Sequence, residues 1–439
     1  MNRMTAALRR YNLAWHLMRP FLPLVTRRRA HIGKDDPERL AERFGRYHHH
    51  TSLPQHPIWL HAVSVGESRA ALALVRAFHA AGIDGPFLVT TNTVTAASQI
   101  AAASQVTASG QSGNPPIFHL YQPLDHPAFV DRFLKMTDPR AAIFLVSDFW
   151  PNLITRSAQH GLPVIFASAQ MSDSAFAGWQ RRAALAADVF SAPQAVLAVD
   201  DAQADRFAAL GTPRDRLSVC GSLKLPQEDV PLNTGFIQQI RDAAAGRHIL
   251  LAASTHEGED TPVIDAATQL GDGWFTLLAP RHPERSTHIA GIAASAGMVS
   301  ACRSSGAVPQ NGQNIYIVDT FGEMGSLFAA ADVVFMGGAL KPLGGHNPVE
   351  PASAGKPVIS GPHTFKNKAE FALLATRGLL RTVTDADSLA KAAIESLGDA
   401  AERDRLAEAA RKFAAEAGKR PELAARSIIK VITAIEKDR

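Results

Sequence analysis

The sequence predicts an α/β protein of two Rossmann-like, doubly wound domains that face each other across a cleft, with a basic interfacial helix at the N-terminus. The 439 residues, 46% hydrophobic and 20% charged, are enough for two or three domains with their own cores. From Ile58 onward, short apolar runs alternate with alanine-rich stretches, the order typical of a parallel sheet covered on both faces. This alternation breaks near residues 226–233 and then starts again.

The N-terminal 50 residues form the first predicted element, a membrane-docking segment. They hold eleven lysines and arginines against four acids, a net +7, so the rest of the chain carries −3. An apolar run over residues 13–25 is interrupted by His16, Arg19 and two prolines, which makes it too short to span a membrane. An arginine triplet follows this run where a secretory signal would have small residues and a cleavage site.

We therefore expect residues 1–30 to lie on an anionic membrane surface, where each basic residue contributes about 1 kcal/mol. The alternative is a helix packed on the body of the protein with solvated arginines. Because the chain beyond residue 50 is net acidic, no nucleic-acid partner is expected. The apolar and aromatic face of the predicted helix consists of Leu8, Tyr11, Leu13, Trp15 and Leu17.

The two predicted domains cover residues 51–225 and 234–439, joined by a linker at 226–233. The strands expected in the first domain are Ile58–Val63, Phe87–Thr90, Ile143–Val146, Pro163–Ala167 and Ala195–Val199. Those expected in the second are His248–Ala252, Trp274–Leu278, Ile315–Val318, Val333–Met336 and Val358–Ser360, followed by a helical tail from about Ser388 to Glu436.

Motifs and cysteines exclude several kinds of site. No P-loop occurs, and no G-x-G-x-x-G follows the first strand, which argues against a P-loop NTPase and weakens a dinucleotide site. The two cysteines, Cys220 and Cys302, lie outside any C-x-x-C motif, which predicts a reducing compartment and no structural zinc.

The first strand ends in a glycine turn that places Glu67 at the start of a helix, with Ser64 beside it. A carboxylate at the carboxyl end of a parallel strand suits a general base that deprotonates an acceptor hydroxyl. It equally suits the positive end of the helix that follows. The sequence leaves these two roles open.

A glycine-lined run over residues 337–351 leads to a helix start in the second domain. Asn347 fits the N-cap, Pro348 the first helical position and Glu350 the third, so a capping box accounts for these three. Capping leaves His346 and the glycines unexplained. We interpret them as a loop whose backbone amides approach a nucleotide phosphate, and we expect Glu350 to bind the ribose hydroxyls.

Two further strand ends carry groups that suit an anionic ligand. Ser254 and Thr255 follow one strand and Arg281 follows the next, and guanidinium and hydroxyl groups recognise phosphate and carboxylate. The D-x-D at Asp385–Asp387 precedes a helix, so capping accounts for it. The triplet His48–His50 has no fourth ligand nearby and predicts an exposed loop. We expect no metal site.

Seven stretches then occur in a recognisable order: Leu60–Glu67, Trp150–Ile154, Gly221–Lys224, Ser254–Glu259, Pro280–Arg285, Gly344–Glu350 and Gly361–Phe365. In these stretches the chain resembles the 3-deoxy-D-manno-octulosonic acid (Kdo) transferases of Gram-negative bacteria. These are GT-B-type glycosyltransferases that add Kdo from CMP-Kdo to the lipid A precursor.

The resemblance implies a metal-independent, inverting transferase that needs no cofactor and acts in lipopolysaccharide core biosynthesis at the cytoplasmic face of the inner membrane. It implies that Glu67 is the catalytic base. The residues it implies for the nucleotide sugar are Arg281, His346, Asn347 and Glu350 on phosphate and ribose, and Ser254, Thr255 and Lys224 near the phosphate or the Kdo carboxylate.

The chain departs from the family on the acceptor side. Residues 146–148 read Val-Ser-Asp where the family has Glu-Thr-Glu, and residues 168–172 read Ser-Ala-Gln-Met-Ser where it has Asn-Ala-Arg-Leu-Ser. The acceptor-side candidates are therefore Ser64, Asp148 and Gln170. A divergent paralogue with another acceptor, a GT-B-fold sugar-nucleotide epimerase, and a paralogue that only binds remain alternatives.

Overall fold

The computed structural model describes residues 5–47, 53–108, 115–145, 148–223, 232–398 and 400–437. The chain divides into two compact units, each built on a seven-stranded parallel sheet. The first unit comprises Met1–Lys224 and Lys419–Arg439, and the second comprises Leu225–Gly418.

The first unit has the strand order β3-β2-β1-β4-β5-β6-β7, the arrangement of a doubly wound fold. Its strands are β1 (Ile58–Ala62), β2 (Phe87–Thr91), β3 (Ile117–Tyr121), β4 (Ala141–Leu145), β5 (Val164–Ala169), β6 (Ala195–Ala198) and β7 (Leu217–Val219). The α-helices of this unit that precede Lys224 are α1 (Ala6–Met18), α2 (Leu22–His31), α3 (Val65–Ala80), α4 (Val94–Ala108), α5 (Pro127–Thr137), α6 (Pro151–Gln159), α7 (Asp173–Gln180), α8 (Ala183–Phe190) and α9 (Asp201–Ala209).

Strand β1 illustrates how this sheet is buried on both faces. Ile58 and Leu60 point to a core layer that includes α3, whereas Trp59 points to the opposite layer. In that second layer the Trp59 ring meets Phe133 of α5 edge-on, with ring centroids 4.7 Å apart. Apolar side chains on successive positions therefore form the continuous apolar run that predicted this strand.

The second unit repeats the pattern, with the order β10-β11-β9-β8-β12-β13-β14. Its strands are β8 (His248–Thr255), β9 (Trp274–Pro280), β10 (Ser300–Cys302), β11 (Ile315–Ile317), β12 (Val333–Met336), β13 (Val358–Ser360) and β14 (Leu380–Thr382). Its helices are α10 (Thr234–Ala244), α11 (Asp260–Leu270), α12 (Ser286–Ser295), α13 (Met324–Ala330), α14 (Val349–Ser353), α15 (Lys368–Thr376), α16 (Ala386–Leu397) and α17 (Ala400–Gly418).

All ten predicted strands are present. The four further strands, which the sequence did not predict, are the outermost strands of the two sheets. These are β3, β7, β10 and β14. Strand β7 is half-exposed to exposed along its length, as is β14. An edge strand has a neighbour on one side only and is partly solvated, so none of these four is buried along its whole length.

The helical tail differs from the prediction, which assigned all of it to the second domain. The last helix, α18 (Arg420–Lys437), belongs to the first unit. Ala424, Ile428 and Ile432 recur at helical spacing and are buried in the same core layer as α3. The tail is therefore divided between the units because the apolar face of α18 completes the cover of the first sheet. The predicted linker lies mostly outside the described residues.

Candidate active site

Glu67 lies in the first turn of α3, directly after β1. Its Oε2 accepts hydrogen bonds from the backbone N–H groups of Val63 at 2.8 Å and Ser64 at 3.1 Å. The Ser64 hydroxyl in turn accepts from the Glu67 N–H at 3.4 Å, which completes a capping box. The side chain is 7% exposed. The helix-start role left open by the sequence is therefore present, and it holds the carboxylate in one position.

Asp148 follows β4, the strand beside β1, and lines a cavity of 290 Å³ in the first unit. The cavity walls include Trp150, Trp179 and the guanidinium-bearing Arg182. Partial burial raises the pKa of the Asp148 carboxyl. Aromatic rings beside a carboxyl and a guanidinium are groups that bind sugars and anions.

Gln170 follows β5, the next strand in the sheet, and is partly buried. Just before it, Ser168 adopts a left-handed φ of 53°, and its hydroxyl accepts from the Leu223 N–H at 3.0 Å. Ser64, Asp148 and Gln170 therefore follow three neighbouring strands, β1, β4 and β5, at the carboxyl end of the first sheet. Glu67 also follows β1. Val146 and Ser147 lie outside the described residues.

In the second unit, the end of β8 bears Ser254 and Thr255, which have different environments. Thr255 is fully buried and its hydroxyl donates to Asp260 at 2.8 Å, while Asp260 also forms an ion pair with Arg285. This corrects the prediction that the Thr255 hydroxyl faces a phosphate, because burial commits it to the carboxylate. Ser254 is partly buried and adopts a left-handed φ of 56° at a strand irregularity.

Three successive amides of the glycine-lined run are bound by a carboxylate of the protein itself. The buried carboxylate of Glu259 accepts from the backbone N–H groups of Gly338 at 2.7 Å, Ala339 at 3.0 Å and Leu340 at 2.9 Å. It also accepts from the His256 N–H at 3.0 Å. No role for Glu259 was predicted, although its position three residues after His256 is a capping-type signal.

Close packing explains the glycines of this run. A Cβ on Gly337 would lie 2.6 Å from the Ser254 carbonyl oxygen. Gly344 and Gly345 both have positive φ, and the Gly345 N–H donates to the Gly338 carbonyl at 2.7 Å. The glycines thus let the run pack closely on the end of β8 and fold back on itself, and its phosphate role stays a prediction.

His346 forms a pair with His256, which follows β8. Their Nε2 atoms are 2.8 Å apart, and the planes of the two rings are nearly parallel, with an interplanar angle of 3°. Burial lowers the pKa of His346 to about 4, and burial also lowers the pKa of His256. Both imidazoles are therefore neutral at pH 7, and one Nε2 donates to the other.

Arg281 follows β9 and is exposed, and no hydrogen bond or ion pair of its side chain is found among the described residues. Its charge, with that of Lys366, acts on His346. Arg281 and Lys366 thus place positive charge near this histidine pair, which favours an anionic ligand. Ser254, Arg281 and His346 follow three neighbouring strands.

The Asn347 Oδ1 accepts a hydrogen bond from the Val349 N–H at 3.1 Å, although the N-cap position of α14 is Pro348 and not Asn347 as predicted. The helix begins at Val349, one position later than predicted, which places Glu350 in its first turn. The capping interpretation of Asp385 is confirmed, since its carboxylate accepts from the Ser388 N–H at 2.8 Å. Lys224 and His48–His50 lie outside the described residues. Within the described ranges no group of three or more His, Cys, Asp or Glu is placed to hold a metal ion.

The N-terminal segment packs in part on the body of the protein, which was the alternative arrangement considered from the sequence. Leu8 is buried, and the Tyr11 hydroxyl donates to the Asp125 carboxylate at 2.8 Å, so these two side chains face the body of the protein. This corrects their predicted place on the membrane face. Seven large apolar side chains of this region are exposed: Leu13, Leu17, Met18, Phe21, Leu24, Val25 and Ile32. In the part of the chain described, no helix is both long and apolar enough to cross a membrane.

Comparison with known proteins gives consistent relatives. The family model for 3-deoxy-D-manno-octulosonic-acid transferase (kdotransferase) matches residues 38–227. The 3-deoxy-D-manno-octulosonic acid transferase of Bordetella pertussis is 34% identical over 426 residues, 93% of this chain and 96% of that protein. The transferase of the same description from Haemophilus influenzae is 32% identical over 383 residues, 85% and 86% of the two chains. UDP-GlcNAc 2-epimerase from Neisseria meningitidis shares the fold, with a TM-score of 0.60 at 11% identity over 87% of this chain and 100% of its own.

Proposed function

We propose, on the premise that this chain belongs to the 3-deoxy-D-manno-octulosonic acid transferase family of GT-B glycosyltransferases, that it transfers Kdo from CMP-Kdo to the lipid A precursor, lipid IVA. The transfer inverts the anomeric centre and needs no metal ion. The reaction belongs to lipopolysaccharide core biosynthesis. The single observation that carries the proposal is the charge at the end of the second sheet, where Arg281 has no acidic partner among the described residues.

The second unit binds the donor. Arg281 supplies a guanidinium for the phosphate of CMP, and the neutral His346–His256 pair supplies a hydrogen bond without adding charge. Ser254 binds the phosphate or the Kdo carboxylate, and Asn347 and Glu350 bind the ribose. The same phosphate or carboxylate role is proposed for Lys224, the last residue of this part of the first unit. A developing phosphate charge on the departing CMP is stabilised by fixed cationic groups, a role that a metal ion has in other transferases.

The first unit supplies the base and binds the acceptor. The acceptor hydroxyl attacks the anomeric carbon of Kdo, its proton passes to the Glu67 carboxylate, and CMP leaves with the electrons of the broken carbon–oxygen bond. The two backbone N–H groups on Oε2 orient this carboxylate. Ser64, Asp148 and Gln170 contact the acceptor, and Asp148 does so from the cavity that it shares with Trp150 and Arg182.

The N-terminal segment holds the protein at the cytoplasmic face of the inner membrane, where a lipid acceptor lies. The observation that supports this is the set of exposed apolar side chains between residues 13 and 32, including Leu17 at 68% and Leu24 at 71% exposed. Arginines at positions 9, 10, 27 and 28 are exposed in the same segment. Apolar bulk with basic groups is the composition of an interfacial anchor.

The test is incubation of the purified chain with CMP-Kdo and lipid IVA, followed by mass spectrometry of the lipid products. We expect a mass increase of one or more Kdo residues and release of CMP in equal number. Absence of both products would contradict the proposal. Kdo transfer to a different lipid would support a divergent acceptor, and release of a free sugar without lipid would indicate an epimerase.

A further inference from the structure

A second cavity of the first unit, 410 Å³ in volume, is separate from the residues assigned to catalysis. Four arginines line it: Arg19 and Arg27 from the N-terminal segment, Arg46 from the chain before β1, and Arg132 from α5. Its walls also include apolar groups, among them the rings of Phe44 and Phe129. These two rings meet edge-on with centroids 5.5 Å apart.

The backbone at Gly45 brings two of these arginines together. Gly45 has a left-handed φ of 67°, and a Cβ at this position would lie 2.5 Å from the Phe129 carbonyl oxygen and 3.3 Å from the Arg132 Cβ. Only glycine permits so close an approach to α5. As a result Arg46, which comes from a distant part of the sequence, lines the same cavity as Arg132.

Among the described residues, the four cavity arginines have no acidic partner, in contrast to three other arginines of the same region. Arg29, Arg39 and Arg43 form ion pairs with nearby carboxylates at 2.6–2.8 Å. Among the described residues, none of the four that line the cavity forms an ion pair. Partial burial, and after it the positive charges of Arg46 and Arg19, lower the pKa of the Arg132 guanidinium.

We propose that this cavity binds the phosphate headgroup of an anionic membrane phospholipid. The concentrated positive charge attracts phosphate, and guanidinium groups bind its oxygens in a fork geometry that lysine lacks. The exposed apolar residues Phe21 and Leu24 lie between Arg19 and Arg27 in the sequence, which favours a lipid over free phosphate. The inference rests on the proposed membrane docking of residues 1–30 and extends it to Arg46 and Arg132, outside that segment.

The first test replaces Arg46→Lys and Arg132→Lys together, which keeps the net charge. Binding is measured by co-sedimentation with phosphatidylcholine vesicles that contain or lack phosphatidylglycerol. We expect the double variant to bind the anionic vesicles at least about tenfold more weakly, because two fork-type contacts are lost. The matched control is Arg76→Lys with Arg426→Lys, exposed residues of α3 and α18 outside both the cavity and residues 1–30, which should bind within about twofold of the wild type.

A second measurement separates a defined site from diffuse attraction. Titration calorimetry with a water-soluble, short-chain phosphatidylglycerol should show saturable binding of one lipid per wild-type chain, and the Arg46→Lys, Arg132→Lys variant should lose it. Equal vesicle binding by this variant and the wild type would overturn the cavity proposal while leaving membrane docking in place. If the wild type itself does not bind anionic vesicles, the proposed membrane docking and the proposed lipid site in the cavity are both wrong. The transfer assay tests the catalytic proposal independently of this result. An increase only in the KM for the lipid acceptor would assign the cavity to the acceptor's phosphate and overturn the phospholipid assignment.

Discussion

The substitution Glu259→Gln tests what holds the glycine loop of the second unit. Glu259 is fully buried, and each of its carboxylate oxygens accepts two backbone N–H groups. Glutamine has nearly the same shape, but its NH₂ group donates and does not accept. In either orientation of the amide, two backbone N–H groups lose their acceptor and face another donor.

The expected loss follows from these two orphaned donors. A buried donor left without a partner costs about 1–3 kcal/mol, so the loop should lose roughly 2–6 kcal/mol of local stability. Because each 1.4 kcal/mol corresponds to about a factor of ten, protection against hydrogen exchange should fall by at least about thirtyfold. The His346 N–H donates to Gly337, so movement of the loop should also weaken CMP binding.

The assay is native-state hydrogen exchange followed by mass spectrometry of peptides that cover residues 338–340. Glu257→Gln is the matched control, since Glu257 is exposed in the same turn and accepts none of these hydrogen bonds. The control should exchange like the wild type. Protection in Glu259→Gln within about threefold of the control would refute the idea that this carboxylate holds the loop.

Three further predictions concern the site. Glu67→Gln should lower Kdo transfer at least about a hundredfold, as expected for loss of a general base, with CMP affinity unchanged; a parallel loss of CMP affinity would indicate a purely structural carboxylate. Arg281→Ala should raise the Kd for CMP about tenfold or more in calorimetry, and an unchanged Kd would place the phosphate elsewhere. His346 should titrate at a pKa of about 4 by NMR. Because the histidine of the unfolded chain takes up a proton at about pH 6.5, the stability that the neutral, buried His346 contributes is full above that pH and is lost as the pH falls toward 4. A measured pKa near 6.5 would contradict burial of the ring.

The strands show where prediction from sequence succeeds. Interior strands such as β1 and β8 are buried on both faces, so their apolar runs are visible in the sequence without any partner. An edge strand such as β14 depends on its single neighbour for hydrogen bonds and shows no comparable run. Local spacing likewise predicts caps, as at Asp385, because the hydrogen-bonded groups lie within four residues of one another.

The site could be predicted only in part. Parallel strands all end on the same side of a sheet, so polar residues at their carboxyl ends could be expected to lie together, as Ser254, Arg281 and His346 do. Which of these groups is free to bind a ligand was not visible in the sequence. The Thr255 hydroxyl, for example, donates its hydrogen bond to Asp260 and has none left for a ligand. Such hydrogen bonds depend on which polar groups are buried beside each other in the folded protein.

The sequence by itself determined the two α/β units, their interior strands, the helix caps and the basic N-terminus, because periodicity and short spacing encode all of these locally. Only the tertiary structure decided that Glu259 reaches amides 79–81 residues away and that His256 meets His346 across 90 residues. It also decided that α18 completes the first unit and that Tyr11 faces the protein. Strand order and burial create these contacts, and neither is a property of any single segment.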